Sequence, residues 1–184
     1  MFSDFKMDSE LKIIVGPMFS GKTSAIIKQW KINKLKNIPT LVVNYSEDVR
    51  YSNTNLSSHD KIEIPCIKLL EMKEIYKHLD DTTSCVLINE GQFFPDLYDV
   101  VKELIEVKKI SVVVSGLDGD FKMNKFGQIL DLIPMANYVE KLFAVCYNCK
   151  KKASFTKRNT TDEKQKIIGT GDIYDATCRD CYDN

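Results

Sequence analysis

Gly16, Pro17, Met18, Phe19, Ser20, Gly21, Lys22 and Thr23 fit the spacing G-x-x-x-x-G-K-[ST], the pattern of a loop that cradles phosphate groups. Its glycines let successive backbone N–H groups turn inward, and a helix beginning at Lys22 adds positive potential at the same point. Lys22 can reach the β- and γ-phosphates of a nucleotide, and the Thr23 hydroxyl can ligate Mg²⁺. The bland alternative is an ordinary glycine-containing turn between a strand and a helix. The motif in that context favours nucleotide binding.

A second set of residues could hold a metal. Cys146-x-x-Cys149 and Cys178-x-x-Cys181 are separated by 28 residues. Each pair puts two thiolates at one tight turn, and two turns close a tetrahedral S₄ shell around Zn²⁺. Four thiolates leave no open position, so such a metal is structural. A redox pair or reduced core cysteines are the alternatives, and Cys66 and Cys85 read as buried small hydrophobes. A third set, Asn89-Glu90-Gly91-Gln92, follows the apolar run Val86–Ile88. It puts polar groups at the C-terminal end of a strand, where α/β sheets bind ligands. By residue type alone Glu90 is equally a general base or a metal-shell carboxylate.

These groups need a frame. Short apolar runs at 11–15, 40–45, 84–89 and 110–117 predict buried strands. They alternate with helical segments at 22–36, 69–79 and 95–107; the last has Leu97, Val100, Val101, Leu104 and Ile105 on one face behind Pro95. Alternation of this kind predicts an α/β fold with a parallel sheet covered on both faces. Residues 46–60 read as a polar loop. From about residue 141 the character changes to cysteine pairs and the polar stretch 158–166, expected to be a mobile loop with little to bury. The expected division is a nucleotide-binding domain over 1–140 and a zinc-binding unit over 141–184.

The 184 residues carry 26 basic and 26 acidic side chains with 43% hydrophobic content. A balanced charge argues against a protein that coats nucleic acid. No apolar run is long enough to span a bilayer. The acidic N-terminal segment lacks the build of a signal peptide, so a cytoplasmic location is expected.

GPMFSGK, EDVRYS, the pair His59-Asp60, EGQFFPD, LDGDF, FGQILDLIPMA, AVCYNC, TKR and the tyrosine before CRDC together resemble the zinc-containing, non-herpesviral thymidine kinases. The motifs stand in family order over about residues 11–182. The resemblance implies a P-loop NTPase-type α/β domain and a small zinc domain holding a lasso over a nucleoside. It implies transfer of the γ-phosphate of ATP to the 5′-hydroxyl of thymidine, with deoxyuridine as a second substrate. Glu90 matches the catalytic base, and Asp48 and Arg50 match a polar motif near the phosphates, with Asn89 and Gln92 counted at the same nucleotide site. Phe93 and Phe121 match aromatic residues lining the thymine pocket, and Tyr174 a tyrosine that closes over the nucleoside. Gln165, Lys166, Ile167, Ile168 and Gly169 match the lasso segment that bonds the base through its main chain; Met18, Leu117 and Thr156 match positions near the base methyl. A homotetramer and feedback inhibition by dTTP are implied as well.

One position departs from the pattern. The family carries Asp-Glu-Gly-Gln where this chain has Asn89-Glu90-Gly91-Gln92. Asparagine keeps a carbonyl acceptor but loses the charge that helps hold Mg²⁺. A weakened magnesium site with an unchanged reaction is expected. Two rival readings are a nucleic-acid-binding ATPase, with Lys150, Lys151, Lys152, Lys157 and Arg158 as a basic patch on a zinc ribbon, and a nucleotide-binding regulator without catalysis.

Overall fold

The computed structural model describes residues 9–48, 55–58, 60–167 and 173–183. Strand β1 (Leu11–Val15) leads through the glycine-cornered loop into helix α1 (Lys22–Leu35), and β2 is Thr40–Tyr45. A short antiparallel pair, β3 (Asn55–Ser57) with β4 (Glu63–Pro65), precedes β5 (Ile67–Leu69). Then come β6 (Cys85–Ile88), helix α2 (Leu97–Glu106), β7 (Ser111–Gly116) and β8 (Tyr138–Lys141). The central sheet has the order β5-β2-β6-β7-β1-β8, and every pairing in it is parallel.

Strand alternation divides the core. Leu11, Ile13 and Val15 of β1 face one cluster, which also holds Val86, Ile88, Val112, Val114 and the α2 residues Leu97, Val101 and Leu104. Ile14, Leu87 and Val113 face the other, with Ile26 and Ile27 of α1. The period of two sends alternate side chains to opposite faces, so uninterrupted apolar strands need cover on both sides. The two helices supply it.

Three expectations are corrected. The segment 69–79 is not one helix: Leu69 pairs beside Tyr45 in the sheet, and a 3-10 helix covers Met72–Lys77. The Asp96 carboxylate fixes its start, accepting from the backbone N–H groups of Met72 and Lys73 at 2.8 Å each. The segment 46–60 is not all loop, because β3 seats Leu56, with Ile64 of β4, against the α1-side cluster. The central sheet also has a sixth strand: all four residues of β8 are exposed, so it lacks the apolar run by which a buried strand is read.

Beyond β8 the chain forms two small ribbons, β9 (Ala144–Val145) with β10 (Lys152–Ala153) and β11 (Phe155–Arg158) with β12 (Tyr174–Thr177). Ala144, Cys146, Ala153 and Ala176 make a separate small core, and a last short helix, α3, spans Arg179–Asp183. Among the described residues no helix is long and apolar enough to cross a membrane.

Candidate active site

The loop after β1 turns on Gly21, whose φ of 83° suits a residue without a Cβ. Ala25 N–H donates to Gly21 O at 3.0 Å as α1 begins. Lys22 is buried, and its Nζ donates to the loop carbonyl of Pro17 at 2.6 Å. The Ser20 hydroxyl donates to the same carbonyl at 2.8 Å. The Met18 N–H donates to Thr156 Oγ1 at 3.0 Å, tying the loop to β11.

Thr23 points across to the β6 end: its hydroxyl donates to Asn89 Oδ1 over 3.4 Å. Asn89 is buried, with both ends of its amide hydrogen-bonded. Its Oδ1 also accepts from Ser115 Oγ at 3.0 Å, and its Nδ2 donates to Asn44 Oδ1 at 3.0 Å. Glu90 follows with φ 57°, the left-handed region that a non-glycine residue occupies at a cost of order 1–3 kcal/mol. Gln92 Nε2 donates to Glu90 Oε2 at 2.7 Å, while Gln92 Oε1 accepts from the Leu117 N–H at 2.9 Å. Gln92 thus bonds both the carboxylate and the chain leaving β7. The Gln92 amide lies so close to Gly116 that a Cβ there would meet its oxygen. Asp48, also buried, accepts at its carbonyl from Lys68 Nζ at 2.8 Å.

An aromatic group flanks these polar residues. Phe93 lies 5.1 Å from Tyr45 and 5.4 Å from Phe126, the latter edge-on. Phe121 carries the Arg158 guanidinium at 3.7 Å from its ring centroid. Arg158 also gathers the chain beyond β11. Its Nη1 donates to the carbonyls of Asp162 and Lys164, and its Nη2 to Gln165 O and the Tyr174 hydroxyl. The Tyr174 hydroxyl in turn donates to Ile167 O at 2.9 Å. Gln165 Nε2 donates to Asp120 Oδ2 at 2.8 Å. The polar stretch after β11 therefore buries little yet is gathered by hydrogen bonds.

The four paired cysteines converge, with sulfur atoms within 4.8 Å of one another and Cys149 to Cys178 at 3.5 Å. A tetrahedral shell with Zn–S of about 2.3 Å has sulfur–sulfur edges of about 3.8 Å, so this set fits the ion. The N–H groups of Cys149 and Cys178 draw the Cys146 thiol down to about 6, while hydrogen bonding to the Cys149 and Cys178 thiols pushes Cys181 up to about 12, so it is the converging geometry that favours a metal. Burial pushes the Cys85 and Cys66 thiols up to about 11. Cys85 is buried and Cys66 half-buried, as suits small apolar side chains.

Of the expected site residues, Arg50, Ile168 and Gly169, with His59, lie outside the described residues. The residues that sequence reasoning missed are Asn44 and Ser115, which hold Asn89, and Tyr45, Phe126 and Arg158. Phe126 and Arg158 stand inside the quoted motifs FGQILDLIPMA and TKR, but nothing in a linear pattern says which motif residue turns inward. Arg158 is 9% exposed, and Lys157 Nζ donates to the carbonyls of Cys181 and Tyr182. Lys150 Nζ donates to the Tyr147 carbonyl at 2.7 Å as well, so three of the five cations of the supposed basic patch are bonded within the chain.

A six-stranded parallel sheet flanked by helices, with the glycine-cornered loop between β1 and α1 and an amide and a carboxylate after β6, two strands away, defines an α/β protein. It brings the Thr23 hydroxyl to the Asn89 amide, with Glu90 next in the chain. Comparison with known sequences narrows the class. The family model described as thymidine kinase matches residues 9–182, so the chain belongs to the thymidine kinase family. It is 40% identical over 172 residues to the thymidine kinase of Variola virus (isolate Human/India/Ind3/1967), covering 94% of this chain and 96% of that one. The enzyme of Vaccinia virus (strain Western Reserve) is 38% identical over the same shares. The cytosolic thymidine kinase of Gallus gallus is 37% identical over 174 residues, 94% of this chain and 76% of its own.

Proposed function

We propose that this chain phosphorylates thymidine, and also deoxyuridine, at the 5′-hydroxyl with ATP as donor, making dTMP for DNA synthesis. The observation that carries the reading is the Thr23–Asn89 hydrogen bond. It joins the phosphate loop to a strand end whose next residue is Glu90. In this mechanism the N–H groups of residues 19–23 and the Lys22 ammonium hold the β- and γ-phosphates. Glu90 takes the proton from the 5′-hydroxyl as that oxygen attacks, with Gln92 fixing its carboxylate. Asp48 and Arg50 act near the phosphates. Phe93, Phe121, Phe126, Leu117, Met18 and Thr156 surround the base, and the segment 165–169 reads it through main-chain groups under Tyr174.

The Thr23 hydroxyl and the Asn89 carbonyl would hold Mg²⁺ or its waters. When bound, the ion supplies charge neutralisation across the β- and γ-phosphates. Asn89→Asp restores a negative charge there but turns a donor to Asn44 into an acceptor, so Asn44 must flip its amide. The expected result is a several-fold lower Mg²⁺ concentration for half-maximal activity and a similar thymidine KM. Unchanged Mg²⁺ dependence and turnover would make the residue incidental.

Residues 1–140 bind the nucleotide, and 141–184 form a zinc-anchored lasso unit. Elemental analysis of protein prepared without chelator is expected to find about one zinc per chain. In the Cys149→Ser/Cys178→Ser variant it falls well below one, and the amides of 159–167 exchange faster. The chain acts in the cytoplasm as a homotetramer, inhibited by dTTP. The exposed β8 edge, with Tyr138 and Val139 56% and 48% exposed, supports self-association. Incubation with ATP, Mg²⁺ and each deoxynucleoside in turn tests the activity. Monophosphate from thymidine and deoxyuridine alone is expected; DNA-stimulated ATP hydrolysis without nucleoside, or no turnover at all, would overturn it.

A further inference from the structure

Lys166 joins the segment beyond β11 to the far side of the site. Its Nζ donates to the Tyr45 hydroxyl at 2.5 Å and to Glu47 Oε2 at 2.5 Å. The Tyr45 hydroxyl itself donates to Glu47 Oε2 at 3.1 Å, which closes a triangle of bonds. The same ammonium lies 4.4 Å from the Tyr45 ring centroid and 5.5 Å from that of Phe93. Tyr45 is a firm anchor. It ends β2, is 5% exposed, and packs against both Phe93 and Phe94. Lys166 lies between Gln165 and Ile167, whose carbonyls are held by Arg158 and Tyr174.

An exposed ion pair contributes little by itself, because water screens it and two long side chains must be ordered. This one differs in two respects. The ammonium rests against aromatic faces, which adds a cation–π attraction and removes part of its hydration. The hydroxyl between the charges restricts the geometry. The Lys166 ammonium accordingly holds the Glu47 carboxyl below its ordinary range.

We propose that Lys166 is a positioning residue: its bonds to Tyr45 and Glu47 latch the lasso to the end of β2 and so set the affinity for the nucleoside. The proposal rests on the reading that the nucleoside lies beneath this segment, beside Phe93. Lys166 touches no reacting atom, so phosphoryl transfer itself proceeds unchanged once the nucleoside is bound. Its side chain therefore serves closure, while its main chain belongs to the segment that reads the base.

The full chain is assayed with thymidine and ATP as wild type, Lys166→Glu, Glu47→Lys and the double exchange. Each single change raises the KM for thymidine about tenfold and leaves kcat and the KM for ATP within about twofold. The double exchange brings the thymidine KM back only to about threefold above wild type: the reversed pair remakes the bonds with Tyr45, but a carboxylate at position 166 loses the cation–π contacts with Tyr45 and Phe93. Tyr45→Phe, which keeps the ring and removes the hydroxyl, raises that KM about threefold. Singles that leave the thymidine KM within twofold, or a double exchange no better than the worse single, overturn the latch. A wild-type chain that phosphorylates no thymidine overturns the underlying reading and the latch with it. Thymidine turnover with exchange-insensitive KM overturns the latch alone.

Discussion

Glu90→Gln lowers kcat for thymidine phosphorylation about 10³-fold and leaves the KM values for ATP and thymidine within about threefold. The substitution keeps the size and shape of the side chain and an oxygen that can accept from Gln92 Nε2, now at 2.7 Å. It removes the negative charge and with it the capacity to take a proton, and it replaces one acceptor oxygen with an NH₂ donor. The backbone supports this assignment, because Glu90 is held at φ 57° directly after Asn89, and strained conformations persist where the surroundings enforce them. Gln92 supplies part of that enforcement by bonding both Glu90 and the Leu117 N–H. The competing base is Asp48, also buried, and Asp48→Asn in the same assay is the control. A Glu90→Gln protein that keeps more than about a tenth of its kcat, beside an Asp48→Asn protein that loses far more, moves the base to Asp48.

Much of the frame is legible in the sequence because buried parallel strands advertise themselves. LKIIV and TLVVNY become β1 and β2 with the boundaries read from their apolar runs, and the periodic face of 95–107 becomes α2. Legibility ends where position depends on a distant group. β8 is a strand because β1 offers it a free edge, although its own residues are exposed. The helix expected over 69–79 yields to the pairing of Leu69 and to the distant cap from Asp96. At the site, the phosphate loop and the cysteine pairs are local patterns and can be read directly. Asn44 and Ser115 come from two different strands to hold Asn89, and no spacing rule connects them. Arg158 is the strongest case. In the sequence it closes a run of cations, whereas in the fold its charge is directed at carbonyl groups.

Arg158→Ala lowers kcat/KM for thymidine about 10²-fold, chiefly through KM, and leaves the KM for ATP and the zinc content unchanged. Hydrogen bonds from a charged donor contribute about 1.5–3 kcal/mol each. Arg158 makes such bonds to the carbonyls of Asp162, Lys164 and Gln165 and to the Tyr174 hydroxyl. Solvent recovers part of that loss once the segment opens, so an effect of about 3 kcal/mol on nucleoside binding, roughly 10²-fold, is the expected remainder. Phe121 loses its stacked guanidinium in the same change. Arg158→Lys separates charge from shape: one ammonium cannot replace a planar fork that reaches four acceptors, so it recovers less than a tenth of the lost kcat/KM. Hydrogen exchange supplies the independent readout, with faster exchange of the amides of 159–167 in both variants and no change in β1 or β6. A thymidine KM within about threefold of wild type in Arg158→Ala would mean that Tyr174 and Lys166 order the lasso without it. The buried guanidinium would then serve only the packing of Phe121.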